Sequence, residues 1–118
     1  MKSTDFRKEL HKIMPGYKWT ISRDEFILQN RHSRFEATGI QSAGFSRIST
    51  LKVIYTELEY GEEYEVKSSG FGKNSGWLHS CKNGTLKRAL RDLQNHYDTW
   101  ARAYKSHAEA LQAGRIIS

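Results

Sequence analysis

Apolar residues recur at helical spacing near both ends of the chain, so we predict a helix at each end. The first helix covers residues 3–14 and stops at the Pro-Gly pair that follows, because proline cannot continue a helix. Its buried stripe consists of Phe6, Leu10 and Ile13. The last helix covers residues 85–113, and its longer stripe consists of Leu86, Ala89, Leu90, Leu93, Tyr97, Trp100, Tyr104, Ala108 and Leu111.

The segment between the helices alternates between apolar and polar residues, which is typical of strands with one buried face. The predicted strands cover residues 17–22, 35–41, 47–59 and 63–71. We predict turns at residues 42–45 and 60–62, and a hairpin connection with a short extended piece over residues 23–34. Gly39 is expected to mark a β-bulge. The glycine-rich residues 70–76 are predicted as a loop.

The order of elements is a helix, three or four antiparallel strands and a long helix. This order predicts an α+β fold of the α-β-β-β-(β)-α type, with the N-terminal helix and the long C-terminal helix packed on one face of a curved sheet. A chain of 118 residues fits one domain, residues 1–118, and is long enough to bury a modest core.

The predicted last helix is longer than the sheet beneath it. Residues 85–113 would span about 43 Å as a helix, whereas a strand of seven residues spans about 23 Å. The helix therefore overhangs the sheet or breaks near Asp98 and Thr99, and we expect it to end at Gly114. An overhang leaves three apolar side chains to be covered by the first helix, by a second copy of the chain in a homodimer, or by a protein partner: Trp100, Tyr104 and Leu111.

The composition indicates a folded protein, since 37% of the residues are hydrophobic and 12% are aromatic. A single cysteine excludes an intramolecular disulfide framework and favours a reducing compartment. The sequence contains no run of 18 apolar residues, so we predict no membrane-spanning helix. Its first residues lack the apolar core of a secretion signal. We expect a cytoplasmic protein without membrane contact.

The formal net charge of +6 is unevenly distributed. Residues 1–50 carry nine Lys and Arg against five acids, residues 51–75 carry three against five, and residues 76–118 carry seven against three. The excess of positive charge near both ends favours an interaction with nucleic acid or with an acidic partner. The alternative is a soluble protein that has a basic isoelectric point and binds no polyanion.

Basic residues cluster on the two predicted helices and form the strongest functional signal. They are Arg7, Lys8 and Lys12 on the first helix, with His11 beside them, and Lys82, Lys87, Arg88 and Arg91 at the start of the last helix. Free backbone N–H groups at a helix start add positive potential. The sequence therefore predicts a polyanion-binding surface, while the competing interpretation is an ordinary solvated helix face.

The residue types that commonly carry catalysis do not form a recognisable motif. Cys81 and His79 could form a thiol and its base, but no third orienting residue is identifiable, and we interpret Cys81 as an ordinary loop cysteine. No two histidines stand at metal-ligand spacing, which argues against structural zinc. The loop over residues 70–76 lacks the phosphate-loop spacing, and five glutamates around the turn at residues 60–62 fit a solvated sheet edge. We expect no catalytic residue, metal, cofactor or small-molecule substrate.

The order of elements, with basic residues at the start of the last helix, resembles the double-stranded-RNA-binding domain. That resemblance implies a phosphate grip by Lys82, Lys87, Arg88 and Arg91. The chain departs from this family in three respects. It is much longer, its last helix is about twice as long, and the Pro-x-His loop between the first strands of the family is not evident.

A second resemblance covers nearly the whole chain. The segments FRKELHKIMPGYKWT, ATGIQSAGFSRISTL, YEVKSSGFG and TLKRALRDLQNHY are similar to those of small uncharacterised proteins encoded by phages and prophages of Gram-negative bacteria. The resemblance implies an accessory viral protein in the cytoplasm of a bacterial host. Such proteins commonly bind and inhibit host machines, including CRISPR complexes and other defence systems.

Three functional hypotheses follow. The first is a non-enzymatic phage-type protein that binds nucleic acid or a host nucleoprotein complex through its basic surface, with an anti-CRISPR or other anti-defence role as its sharpest version. The second is a protein-interaction module that acts through the aromatic face of the last helix, centred on Trp100 and Tyr104. The third is a small enzyme at the loop between Gly70 and Cys81, which we rank last.

Overall fold

The computed structural model describes residues 3–23, 34–69 and 76–116. Within these ranges the elements are α1 (Ser3–Ile13), β1 (Lys18–Arg23), β2 (Arg34–Ala43), β3 (Ser46–Leu58), β4 (Gly61–Ser69), β5 (His79–Asn83) and α2 (Leu86–Ile116). The chain is therefore α+β, as predicted. Most of the predicted connection after β1, residues 24–33, and most of the glycine-rich loop, residues 70–75, lie outside the described residues.

The strands form one antiparallel sheet in the order β1-β2-β3-β4-β5, so each strand pairs with its neighbours along the chain. The prediction of three or four strands was wrong by at least one, because β5 lies in a stretch that we interpreted as a polar loop. Its sequence, HSCKN, has no β-branched residue that would favour a strand. Pairing with β4, in which Cys81 lies opposite Val66, supplies the missing preference.

The prediction that Gly39 marks a β-bulge was wrong. This glycine instead makes room for an aromatic ring. It pairs in register with Trp19 on one side and Leu51 on the other, and the register shift in β2 falls between Gln41 and Ser42. A Cβ atom built on Gly39 would lie 2.8 Å from the Trp19 ring. Glycine at this position therefore lets the buried indole lie flat on β2.

Both helices cover the same face of the sheet. Phe6 of α1 packs against Phe35 and Tyr55, with ring centroids 6.0 and 6.1 Å apart. The first two turns of α2 add their apolar residues to the same core. The fully or almost fully buried core residues include Phe6, Leu10, Trp19, Phe35, Ala37, Leu51, Val53, Tyr55, Tyr64, Val66, Leu86, Ala89, Leu90 and Leu93.

The start of α2 is fixed by short-range hydrogen bonds. The Thr85 hydroxyl oxygen accepts a hydrogen bond from the backbone N–H of Arg88, at 3.2 Å, and so caps the helix. Asn83 accepts a bond from the N–H of Gly84 and donates one to Asp92, which ties the end of β5 to the second turn of α2. These contacts direct α2 across β5 and β4.

The C-terminal half of α2 projects beyond the sheet without a break at Asp98 or Thr99. Tyr97 is its last partly buried residue, and every side chain from residue 98 to residue 115 is exposed. The 31 residues of α2 span about 46 Å, which accounts for the elongated dimensions of 67 × 36 × 25 Å. The prediction that the helix ends at Gly114 was wrong, because α2 continues to Ile116.

Candidate functional site

The basic residues of α1 and α2 meet at a groove between the two helices. Lys8 and Lys12 stand one turn apart on α1 and line this groove together with Lys87 from the first turn of α2. Glu9 and Ile13 complete its lining. The structure thus brings together three of the cations that the sequence places on separate helices.

Three further predicted cations are exposed on the same two helices. Arg88 and Arg91 are exposed on the first two turns of α2, and Arg7 is exposed on α1 next to Lys8. Among the described residues, none of these three and none of the groove lysines lies within 4.0 Å of a carboxylate oxygen in an ion pair. We call Arg7, Lys8, Lys12, Lys87, Arg88 and Arg91 the helical basic surface.

Lys82 does not belong to this surface. Within β5 it alternates with Cys81 and Asn83, so it points to the face of the sheet that the helices leave uncovered. Its Nζ lies 3.9 Å from Glu63 and 3.7 Å from Glu65. The sequence grouped Lys82 with the start of α2 because β5 was not recognised.

The uncovered face of the sheet is a network of paired charges. Glu36 of β2 lies 2.9 Å from Arg34 of the same strand and 3.4 Å from Lys52 of the adjacent strand β3. Lys67 contacts Glu65 at 3.7 Å. Four cations of this face, Arg34, Lys52, Lys67 and Lys82, are thus paired with glutamates, in contrast to those of the helical basic surface.

Acidic and phenolic groups lie near the end of the groove and keep it from being uniformly positive. Burial raises the pKa of Glu9, and the nearby Glu62 raises it further, while Lys12 lowers it. The Tyr55 hydroxyl donates a hydrogen bond to Glu62 at 3.1 Å. Burial, followed by Glu9, raises the pKa of Tyr64, so this phenol stays protonated at neutral pH. An anion is therefore favoured on the outer side of the groove, where the lysines and arginines are exposed.

Cys81 and His79 lie two residues apart in β5, with no hydrogen bond between their side chains. Cys81 lies in strand β5 instead of in the predicted loop, and burial, with a contribution from Asp92, raises the pKa of its thiol. A raised pKa lowers the thiolate fraction, which is the reactive form. His79 stacks on His96 of α2, with ring centroids 3.3 Å apart and the rings nearly parallel. No sequence signal indicated this stack, because it depends on β5 pairing beside α2.

Two further kinds of site are not found in the described parts of the chain. No group of three or more His, Cys, Asp and Glu side chains comes close enough to hold a metal ion in residues 3–23, 34–69 and 76–116. No helix in those ranges combines the length and apolar character needed to cross a bilayer.

The predicted aromatic face of α2 is continuous and exposed. His96, Trp100 and Tyr104 follow one another at intervals of four residues, with ring centroids 6.1 and 5.7 Å apart. Trp100 is 50% exposed, Tyr104 68% and Leu111 57%. No described residue of the chain covers these three side chains, so the expectation of an uncovered overhang is confirmed.

Comparison of the chain with protein-family models, with curated proteins and with solved structures finds no match.

Proposed function

We propose that this chain is a non-enzymatic binding protein that contacts nucleic acid, or the nucleic acid of a host nucleoprotein complex, through the helical basic surface. Three lysines line the outer part of one groove, and three arginines extend it along both helices. This spread of cations suits a phosphate backbone, which presents a regular series of negative charges.

The observation that carries the proposal is the difference between the two sides of the molecule. On the uncovered face of the sheet, glutamates lie within 4.0 Å of Arg34, Lys52, Lys67 and Lys82. On the helical side, six cations have no such partner among the described residues. Unpaired cations can neutralise phosphates without first breaking an ion pair, and each neutralised phosphate releases cations that were condensed on the nucleic acid.

The biological setting of the proposal comes from the resemblance to small phage and prophage proteins. In that setting the protein is an accessory factor in the cytoplasm of a bacterial host, and the sharpest version is an inhibitor of a CRISPR complex or of another defence system. A basic inhibitor would bind the guide RNA, the target DNA or an acidic protein surface, unlike an acidic protein that mimics DNA.

Charge reversal tests the helical basic surface directly. In the double variant Lys87→Glu with Arg88→Glu, we expect weaker binding to a short DNA or RNA duplex and a salt dependence reduced by about two in the slope of log K against log salt. Electrophoretic mobility and fluorescence anisotropy at several salt concentrations measure both effects. Duplex DNA, single-stranded DNA and duplex RNA compared side by side identify the preferred ligand.

The matched control is Lys18→Glu with Lys82→Glu, which changes the net charge by the same amount on the uncovered face. We expect this control to retain the wild-type salt slope. An unchanged affinity in Lys87→Glu with Arg88→Glu would show that these residues do not contact the nucleic acid. An equal loss of affinity in both double variants would show only an effect of net charge. Either outcome would reject binding through the helical basic surface.

A second candidate function is a protein-interaction module that needs no nucleic acid. The observation that favours it is the exposure of Trp100 and Tyr104 on the projecting part of α2. Binding of this kind would tolerate salt and would be lost when those rings are removed, because aromatic anchors commonly dominate protein interfaces.

A further inference from the structure

A seven-residue spacing extends the buried stripe of α2 into the projecting part, where Trp100, Tyr104 and Leu111 are its apolar members. Alternate steps of four and three residues connect Leu86, Leu90, Leu93, Tyr97, Trp100, Tyr104, His107, Leu111 and Gly114. The first three of these positions are buried against the sheet. From Trp100 onward the same seam faces solvent. A repeat of this period is the pattern by which two helices pack along a common seam.

The positions that flank the seam are small and uncharged over most of the projecting part. Ala101 and Ala108 lie on one flank, and Ala103 and Ala110 lie on the other. The charged residues of this part, apart from Arg115, project away from the seam: Asp98, Arg102, Lys105 and Glu109. Alanine on both flanks allows a second helix to approach closely, whereas an isolated solvated helix would normally carry charges there.

We propose that the projecting part of α2, residues 98–116, pairs in an antiparallel manner with the same segment of a second copy of this chain. The pairing centre lies between Lys105 and Ser106. Trp100 then faces Leu111 of the second copy, and Tyr104 faces its His107. Each large ring meets a smaller side chain, so the seam is filled evenly along its length.

The position of Gly114 supports this antiparallel register independently. Glycine destabilises a helix interior by about 1 kcal/mol relative to alanine, yet a Cβ atom at Gly114 would meet nothing within 4 Å in its own chain. In the antiparallel register, Gly114 of the second copy lies opposite Tyr97, where α2 leaves the sheet. A residue without a side chain fits there, because the sheet edge leaves the least room for the second helix.

Charge complementarity favours an antiparallel over a parallel pair. The antiparallel register sets Arg115 of one copy near the level of Asp98 of the other, within about two residues or 3 Å along the axis. The opposed helix dipoles attract each other in this arrangement. A parallel pair would place identical charges at the same level along the whole segment.

The available area indicates a weak but specific dimer. Trp100 and Tyr104 each expose half or more of a side chain, and a buried aromatic residue contributes about 150–250 Å² in total. With Leu111 and four alanines, the pair reaches about 1,200 Å² for both partners, which is the lower end of specific interfaces. We therefore expect a dissociation constant in the micromolar range.

The first experiment measures the oligomeric state of the full chain by sedimentation velocity from about 1 to 200 µM, the range in which such an interface dissociates. We expect the wild type to shift from monomer to dimer, and the variant Tyr104→Glu to remain a monomer with an unchanged far-ultraviolet circular dichroism spectrum. Ser106→Glu is the matched control, because Ser106 faces away from the seam, and it should dimerise like the wild type. A wild type that stays monomeric throughout, or a Tyr104→Glu variant that dimerises normally, would overturn the proposal.

The second experiment tests the orientation with cysteines in a Cys81→Ser background. Ala101→Cys and Ala108→Cys lie on the same flank and at nearly the same level in the antiparallel pair. A mixture of these two single variants should give the mixed cross-linked dimer with a short thiol-reactive linker. Ala101→Cys alone should give little product, because its two copies lie nine residues, or about 14 Å, apart along the axis. Self-cross-linking of Ala101→Cys as the main product would indicate a parallel pair and would overturn the register. Both experiments use protein without nucleic acid, so their failure is separate from that of the proposed polyanion binding.

Discussion

At the scale of single residues, Gly39 leaves room for the Trp19 ring, since a Cβ atom at this position would lie 2.8 Å from it. The sequence indicated that Gly39 was special but not why, because a bulge and a close ring contact both require glycine. Only the pairing of β1 with β2, two segments separated along the chain, decides between them. Contacts between distant segments are the part of the fold that local patterns do not predict.

We predict that Gly39→Ala destabilises the protein by about 1–3 kcal/mol, because the added methyl group would force the buried indole out of its position. Urea unfolding followed by tryptophan fluorescence measures the change in the free energy of unfolding. Gly76→Ala is the control, since a Cβ atom there meets nothing within 4 Å. Equal stabilities of the two variants would show that the ring does not lie against Gly39.

The stacked histidines predict a pH dependence of stability. Burial, with the neighbouring His79, lowers the pKa of His96 below its ordinary value of 6.5. At His96 the unfolded chain therefore binds more protons near this pH than the folded one. The contribution of this group to the free energy of unfolding thus falls as the pH drops below about 6.5 and recovers above it. Of the other groups near the stack, Asp92 lies one turn earlier on α2 and bonds to Asn83.

Thermal unfolding of wild type and His96→Gln, at about pH 7.5 and about pH 5.5, tests this dependence. We expect the difference in melting temperature between the two pH values to be smaller in His96→Gln than in the wild type. His11→Gln, which removes an exposed histidine from α1, should keep the wild-type difference. If the two variants behave alike, the stack does not control the pH response.

At the scale of elements, strong periodicity predicted the helices and most strands. Strand β5 was not predicted, because its residues have little intrinsic preference for a strand. Apolar residues at helical spacing fixed the positions of α1 and α2, and alternation located the strands around Val53 and Val66. In β5 every residue is partly or fully exposed, so its sequence carries no alternation between apolar and polar types. The misplacement of Lys82 follows directly from this gap, since the direction of its side chain is set by the strand.

The capping hydroxyl of Thr85 gives an element-scale prediction. Thr85→Ala should destabilise the protein by about 1 kcal/mol, because the N–H of Arg88 loses its acceptor at the start of α2. Thr85→Ser keeps the hydroxyl and should retain most of the stability. Chemical denaturation of the three proteins measures the differences. A loss in Thr85→Ser as large as that in Thr85→Ala would mean that the threonine methyl group, and not the cap, matters.

At the scale of the whole molecule, the two proposed surfaces combine in a defined way. An antiparallel pair of helices has its two-fold axis perpendicular to the plane that contains both helices, so residues on one flank of the seam come to the same side in both copies. Lys87 and Lys105 stand five full turns apart on one flank of α2, the flank on which α1 brings Lys8 and Lys12 to the groove. The dimer would therefore present two helical basic surfaces on one side, with Lys105 of each copy between them.

This arrangement predicts a dependence of binding on duplex length. The two Lys87 residues of the dimer would be about 55 Å apart along the helices, which corresponds to about 16 base pairs at 3.4 Å each. At protein concentrations that favour the dimer, lengthening a duplex from about 12 to about 24 base pairs should increase affinity at least tenfold, because both surfaces then bind one molecule. Tyr104→Glu should keep the affinity for the short duplex and lose most of the increase on the longer one. Comparison with this variant corrects for the greater number of binding sites on the longer duplex. An equal increase in both proteins would separate polyanion binding from dimerisation, and binding of neither duplex would reject the helical basic surface itself.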